Sequence, residues 1–141
     1  VSPAIDDPRA ELARRCDAIE ESYEFMLAYA SRGIAAGPDR EPDVEIRGYL
    51  ERFDAALTGL GDVVTSFVDG LKLEPAVAYR GYVDLLNRDA RDAQAALRVV
   101  LAQRSLTSQI VDNLNASVHV RTLLTDLFLI DEILKGQRTN L

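Results

Sequence analysis

Carboxylates at helical spacing are the residues of this 141-residue chain most suited to chemistry. Glu20, Glu21 and Glu24 fall together in Glu-Glu-Ser-Tyr-Glu, and Glu20 and Glu24 share one side of a helix, a turn apart. A second acidic group follows at Glu51 and Asp54, and another carboxylate at Asp62 in Leu-Gly-Asp-Val-Val. Carboxylates from two facing helices are how a helical protein holds Mg²⁺, which takes oxygen ligands and bridges to substrate phosphates. On solvated helix flanks the same residues are only surface charge. Other chemistries are poorly supplied. The single histidine, His119, has Ala116 three residues before it, so the Glu-x-x-His pairs of a di-iron bundle are missing. One histidine and one cysteine do not make a zinc site. His119 reads as a residue of a helix bend or an interface. Cys16 sits mid-way along an apolar stripe and reads as a small buried hydrophobe. As the sole cysteine it cannot form an intramolecular disulfide. The sequence holds no nucleophile elbow, phosphate-cradling glycine loop or dinucleotide fingerprint.

The stretch Glu-Glu-Ser-Tyr-Glu-Phe, followed later by Leu-Gly-Asp-Val-Val, resembles the MazG-like all-α nucleoside triphosphate pyrophosphohydrolases. Their pattern is Glu-Glu-x-x-Glu on one helix and Glu-x-x-Asp on the next. The resemblance implies metal roles for Glu20, Glu21, Glu24 and Asp62, and release of pyrophosphate with Mg²⁺ as cofactor. It is confined to these two short stretches, and Gly59 stands where the family has its second-helix glutamate. Glu51 and Asp54 recover that spacing in other surroundings.

The elements that must position these residues are written in the apolar rhythm. Apolar side chains recur at steps of three and four through Leu12, Cys16, Ile19, Tyr23, Met26 and Ala30. The same rhythm runs from Ile46 through Leu50, Phe53, Leu57, Leu60, Val64 and Phe67 to Leu71, and again from Tyr79 to Val100. A fourth segment begins at Leu106 and ends near Leu134. Each stripe lies along one side of a helix and is hidden only against other helices. The expectation is an all-α single domain, an antiparallel up-down four-helix bundle with helices near 7–31, 43–70, 75–103 and from about 106. Residues 1–6 read as an irregular lead-in and 136–141 as a frayed tail. Asp43 reads as a cap for the second helix. Gly59 and Gly61 fall inside that helix at a cost of roughly 1 kcal/mol each, which predicts a bend or a close helix contact there. Arg80, Asp84, Arg88 and Asp92 alternate in sign every four residues and mark a wet face.

The fourth segment departs from the single-stripe pattern. At about 100° per residue, Ile110, Val111, Leu114 and Val118 lie opposite Val120, Leu123, Leu124, Leu127, Ile130 and Leu134. Phe128, Leu129 and Ile133 add apolar surface outside that second face. Two readings follow. Either Leu123, Leu127, Phe128, Leu129, Ile130 and Ile133 form an oligomer contact, or the helix kinks or splits near 117–119 and both faces pack within one chain.

Net charge is −7, and the arginines are interleaved with carboxylates, so no nucleic-acid partner is expected. The longest apolar stretch, 123–134, is interrupted by Asp126 and Asp131 and is too short to span a bilayer. No basic, apolar leader follows Val1, which makes a cytoplasmic placement the expectation. Fourteen arginines against Lys72 and Lys135, with many alanines, point to a GC-rich bacterial genome. The function expected is non-enzymatic: a protein that self-associates as a homodimer and acts through a further protein partner as adaptor, assembly factor or regulator, with no cofactor. The Mg²⁺-dependent pyrophosphohydrolase is the first alternative. A small-ligand sensor bundle, its cavity lined by Tyr23, Tyr49 and Tyr79, is the second.

Overall fold

The computed structural model describes residues 7–139 apart from positions 36 and 39; the expected lead-in and the last two residues of the expected tail lie outside the described residues. Among the described residues the chain forms six helices and no strand. They are α1 (Pro8–Ser31), α2 (Glu41–Leu57), α3 (Leu60–Leu71), α4 (Ala76–Leu101), α5 (Ser108–Ala116) and α6 (Val118–Thr139). The all-α expectation holds. The four-helix count is corrected to six, because the second and fourth apolar segments each break.

The first break follows from Gly59, whose backbone is left-handed (φ 72°, ψ 12°), a geometry that costs an L side chain steric strain. A helix that ends here leaves carbonyls without intrahelical partners. Neighbouring helices supply the donors. Arg15 of α1 donates to the carbonyls of Ala56 (3.2 Å) and Thr58. Gln94 of α4 donates to the Asp54 carbonyl (3.1 Å) and the Thr58 hydroxyl (3.0 Å). Gly61 then admits α4 closely: a Cβ there would lie 2.0 Å from Oδ1 of Asn87. The bend and the close contact expected at these glycines are both present, one at each.

The second break is at Ser117, which leaves helical geometry (φ −59°, ψ 127°) between α5 and α6. The split expected as an alternative near 117–119 is therefore what occurs. Other boundaries shift. The second helix starts at Glu41, with Pro42 in its first turn, where the missing N–H of proline costs nothing. Asp43 consequently lies inside the helix instead of capping it. Its carboxylate takes the Arg47 guanidinium (2.7 Å) and the Leu106 amide (2.7 Å), tying the start of α2 to the α4–α5 connection. At the far end α6 continues through Gly136 to Thr139, where the sequence predicts a frayed tail.

Hydrogen bonds fix the chain directions. Ser22 donates to the Tyr49 carbonyl (3.0 Å) and Arg15 to that of Ala56, so α1 and α2 run antiparallel. Arg47 donates to the Leu101 carbonyl (2.8 Å) and Gln94 to that of Asp54, which sets α2 antiparallel to α4. Helix α1 packs on α2, α3 and α5; α4 packs on α2, α3, α5 and α6. One core runs through all six helices and includes Ile19, Met26, Phe53, Leu60, Leu86, Leu97, Val111 and Leu123. Each such side chain contributes roughly 1.5–3 kcal/mol by leaving water. The Arg80–Asp92 ladder is exposed, as its alternation predicts. Among the described residues no helix is long and apolar enough to cross a membrane.

Candidate functional site

The six apolar residues singled out on the last segment divide once the chain folds. Leu123, Leu127 and Ile130 are buried in this chain's own core. So are Val120, Leu124 and Leu134, because the break at Ser117 reorients the helix and turns the whole second face inward. Phe128, Leu129 and Ile133 remain outside, 56%, 52% and 38% exposed. Val118 is exposed at the start of the same helix, and Arg121 and Glu132 are exposed alongside. Large exposed hydrophobics also occur singly at Leu27 on α1 and Val44 on α2, where isolated apolar side chains are ordinary. Their concentration on α6 is the uncommon feature. Phe128 also lines a narrow cleft in which Cys16, Ile19 and Glu20 of α1 meet Leu124, Leu127 and Asp131 of α6.

Directly behind this outer face lies a second arrangement that sequence reasoning missed. Asp126 is only 9% exposed, and the Asp89 carboxyl of α4 lies near it. Its Oδ2 is buried with no hydrogen-bond partner among the described residues. Burial, followed by the neighbouring Asp89 carboxyl, pushes Asp126 up to about 7. Tyr82 of α4 donates its hydroxyl to the Asp126 carbonyl (2.6 Å), and burial with the two nearby carboxylates pushes that phenol up to about 12. The signal was present in the sequence: Asp126 stands three residues after Leu123 and four before Ile130, a core step of the apolar rhythm.

The carboxylates considered for Mg²⁺ are placed differently. Glu20, Glu21 and Glu24 on α1, Glu51 on α2 and Asp62 on α3 are all exposed. Asp54 pairs with Arg98 (3.2 Å). Among the described residues no three His, Cys, Asp or Glu side chains gather closely enough to hold a metal ion. His119 is exposed next to the α5–α6 break. Cys16 is half-buried against the core, and burial followed by the Asp131, Glu20 and Asp17 charges pushes its thiol up to about 11. A thiol held protonated is a poor nucleophile, which agrees with the packing role expected of it.

The tyrosines are largely committed within the fold. Tyr29 is buried and donates to the Leu106 carbonyl, and Tyr82 is occupied as above. Tyr49 stacks on Phe25 at 4.0 Å between ring centres, with the Arg52 guanidinium 4.2 Å from its own. A surface groove between α1 and α2 gathers Arg14, Arg15 and Arg52. Its guanidinium groups are engaged: Arg14 and Arg15 with Glu11, Arg15 also with the end of α2, and Arg52 with the Tyr49 ring. Comparison with protein-family models, with curated proteins and with solved structures finds no match.

Proposed function

We propose that this protein works without catalysis, through protein–protein contacts, and that it self-associates as a homodimer across the outer face of α6. The observation that carries this reading is the cluster Phe128, Leu129 and Ile133 on one helix. Covering these side chains removes apolar area from water at about 25 cal/mol per Å². The inward turn of Leu123, Leu127 and Ile130 narrows the contact to the three outward residues, with Val118, Arg121 and Glu132 at its border. The role is that of an adaptor, assembly factor or regulator, with no cofactor required.

The test is solution mass by light scattering across a concentration series. The wild type is expected at twice the 15.5 kDa chain mass. Phe128→Asp and Leu129→Asp are expected to run as single chains with unchanged far-ultraviolet helicity, because both side chains are already in water in the isolated chain. A wild type that stays at the single-chain mass throughout overturns self-association. Mg²⁺-dependent release of pyrophosphate from nucleoside triphosphates, lost in Glu20→Ala and Glu24→Ala, would replace the non-catalytic reading with the hydrolase.

A further inference from the structure

Helix α6 packs chiefly against α4, and its other side is exposed. The exposed row begins at Val118 and ends eighteen residues on at Gly136, which at about 3.6 residues per turn is five full turns. Its two ends are therefore in line. Measured from that line at about 100° per residue, Arg121, Phe128 and Glu132 lie to one side, and Leu129 and Ile133 to the other. Among the described residues Arg121 and Glu132 have no ion partner, whereas Lys135 takes Asp131 at 3.1 Å. We propose that a second copy packs antiparallel along this row in one register, an arrangement that rests on the homodimer reading. Arg121 of each chain pairs with Glu132 of the other, and the two Phe128 rings meet beside the two-fold axis.

Area and charge select this register independently. A stable dimer covers about 800 Å² on each partner, and one helix face comes nearest to that when it overlaps along its whole length. Overlap of the whole row puts the two-fold axis at its midpoint, residue 127. Each residue then faces the one equally far beyond the axis on the partner. Arg121 stands six positions before the midpoint and Glu132 five after it, so each guanidinium comes level with the partner's Glu132. The charges play no part in placing that midpoint, yet they match across it.

The side of the row on which each residue lies agrees with this pairing. An antiparallel two-fold axis keeps the same side of both helices on the same side of the pair. Arg121, Phe128 and Glu132 of one chain therefore meet the same three residues of its partner. Phe128, 56% exposed in the single chain, lies one position from the axis, so the two rings cover each other there. A reciprocal ion pair stands on either side of them. A parallel pair would instead set Arg121 level with Arg121 and Glu132 level with Glu132, like charge with like. Charges at the rim of an apolar contact fix its orientation more than they add to its affinity.

The test reads dimer affinity of the full chain by sedimentation across a concentration series. Arg121→Glu and Glu132→Arg are each expected to weaken the homodimer about 10-fold, since by symmetry each turns two attractive pairs into repulsive ones. Far-ultraviolet helicity should not change, both side chains being exposed. The double variant Arg121→Glu/Glu132→Arg restores opposite charges at both contacts and should recover the wild-type affinity. An equal mixture of the two single variants should form the heterodimer in preference to either homodimer. Cross-linking reads the direction. In a Cys16→Ala background a short bis-maleimide should join Arg121→Cys chains to Glu132→Cys chains but neither variant to itself, because like positions lie about 15–18 Å apart along the pair. Single variants that dimerise as tightly as wild type, a double variant that stays weak, or either cysteine variant cross-linking with itself would overturn this register and leave the homodimer standing. A wild type at single-chain mass throughout would remove both.

Discussion

At Thr58 and Gly59 the backbone passes from one helix to the next beneath side chains from two neighbouring helices; at Ser117 it passes from α5 to α6 with no such cover. The first break has a left-handed glycine, the Arg15 guanidinium on the Ala56 and Thr58 carbonyls, and the Gln94 amide on Asp54 and Thr58. The second closes on backbone bonds alone, Ser117 N–H to the Leu114 carbonyl (3.0 Å) and Arg121 N–H to that of Ser117 (3.1 Å). Among the described residues no side chain from another helix bonds at Ser117. What holds the chain there is apolar burial on either side, by Leu114 and Val120. A polar-stitched break fixes the angle between two helices from outside them. An apolar-flanked break leaves that angle to packing, and the helix beyond it is the one that carries both the exposed face and the buried Asp126.

Leu114→Ala should have the largest effect. It removes the apolar flank of the unstitched break and should lower stability by about 2–5 kcal/mol, read as the shift of a urea midpoint. A loss no greater than that of a surface substitution would mean that something else holds α5 to α6. Gln94→Ala comes next, at about 1–3 kcal/mol, since it strips a buried donor from the Asp54 carbonyl and the Thr58 hydroxyl. Combining it with Arg15→Ala should cost more than the sum of the two single changes, because both serve the same helix end. Additive losses would show that each acts alone. Ser117→Ala is the smallest, within about 0.5 kcal/mol in thermal or chemical unfolding, because its side chain carries none of the local bonds. A loss as large as that of Gln94→Ala would erase the contrast between the two breaks.

Much of the helical layout was legible along the chain. The three-and-four rhythm located the residues that meet in the core, Phe53, Leu60, Leu86 and Leu97 among them. The opposed faces of the last segment marked the split at Ser117. The glycines at 59 and 61 marked a disturbance, but a glycine inside a helical pattern is compatible with an unbroken helix. Whether the helix ends there depends on donors reaching its freed carbonyls, and those belong to Arg15 and Gln94, each more than thirty positions away in sequence. The same applies to the site. An aspartate at a core step was visible at 126, but nothing local indicated that Asp89 would face it.

Sequence by itself determined which side chains line the interior and that helices would carry them, because helical periodicity is a property of neighbours three and four residues apart. Tertiary structure alone decided how many helices there are, which of the α6 hydrophobics stay in water, and that one buried aspartate keeps its proton towards neutrality. Those outcomes depend on hydrogen-bond partners and desolvation supplied by distant parts of the chain, and no local pattern encodes them.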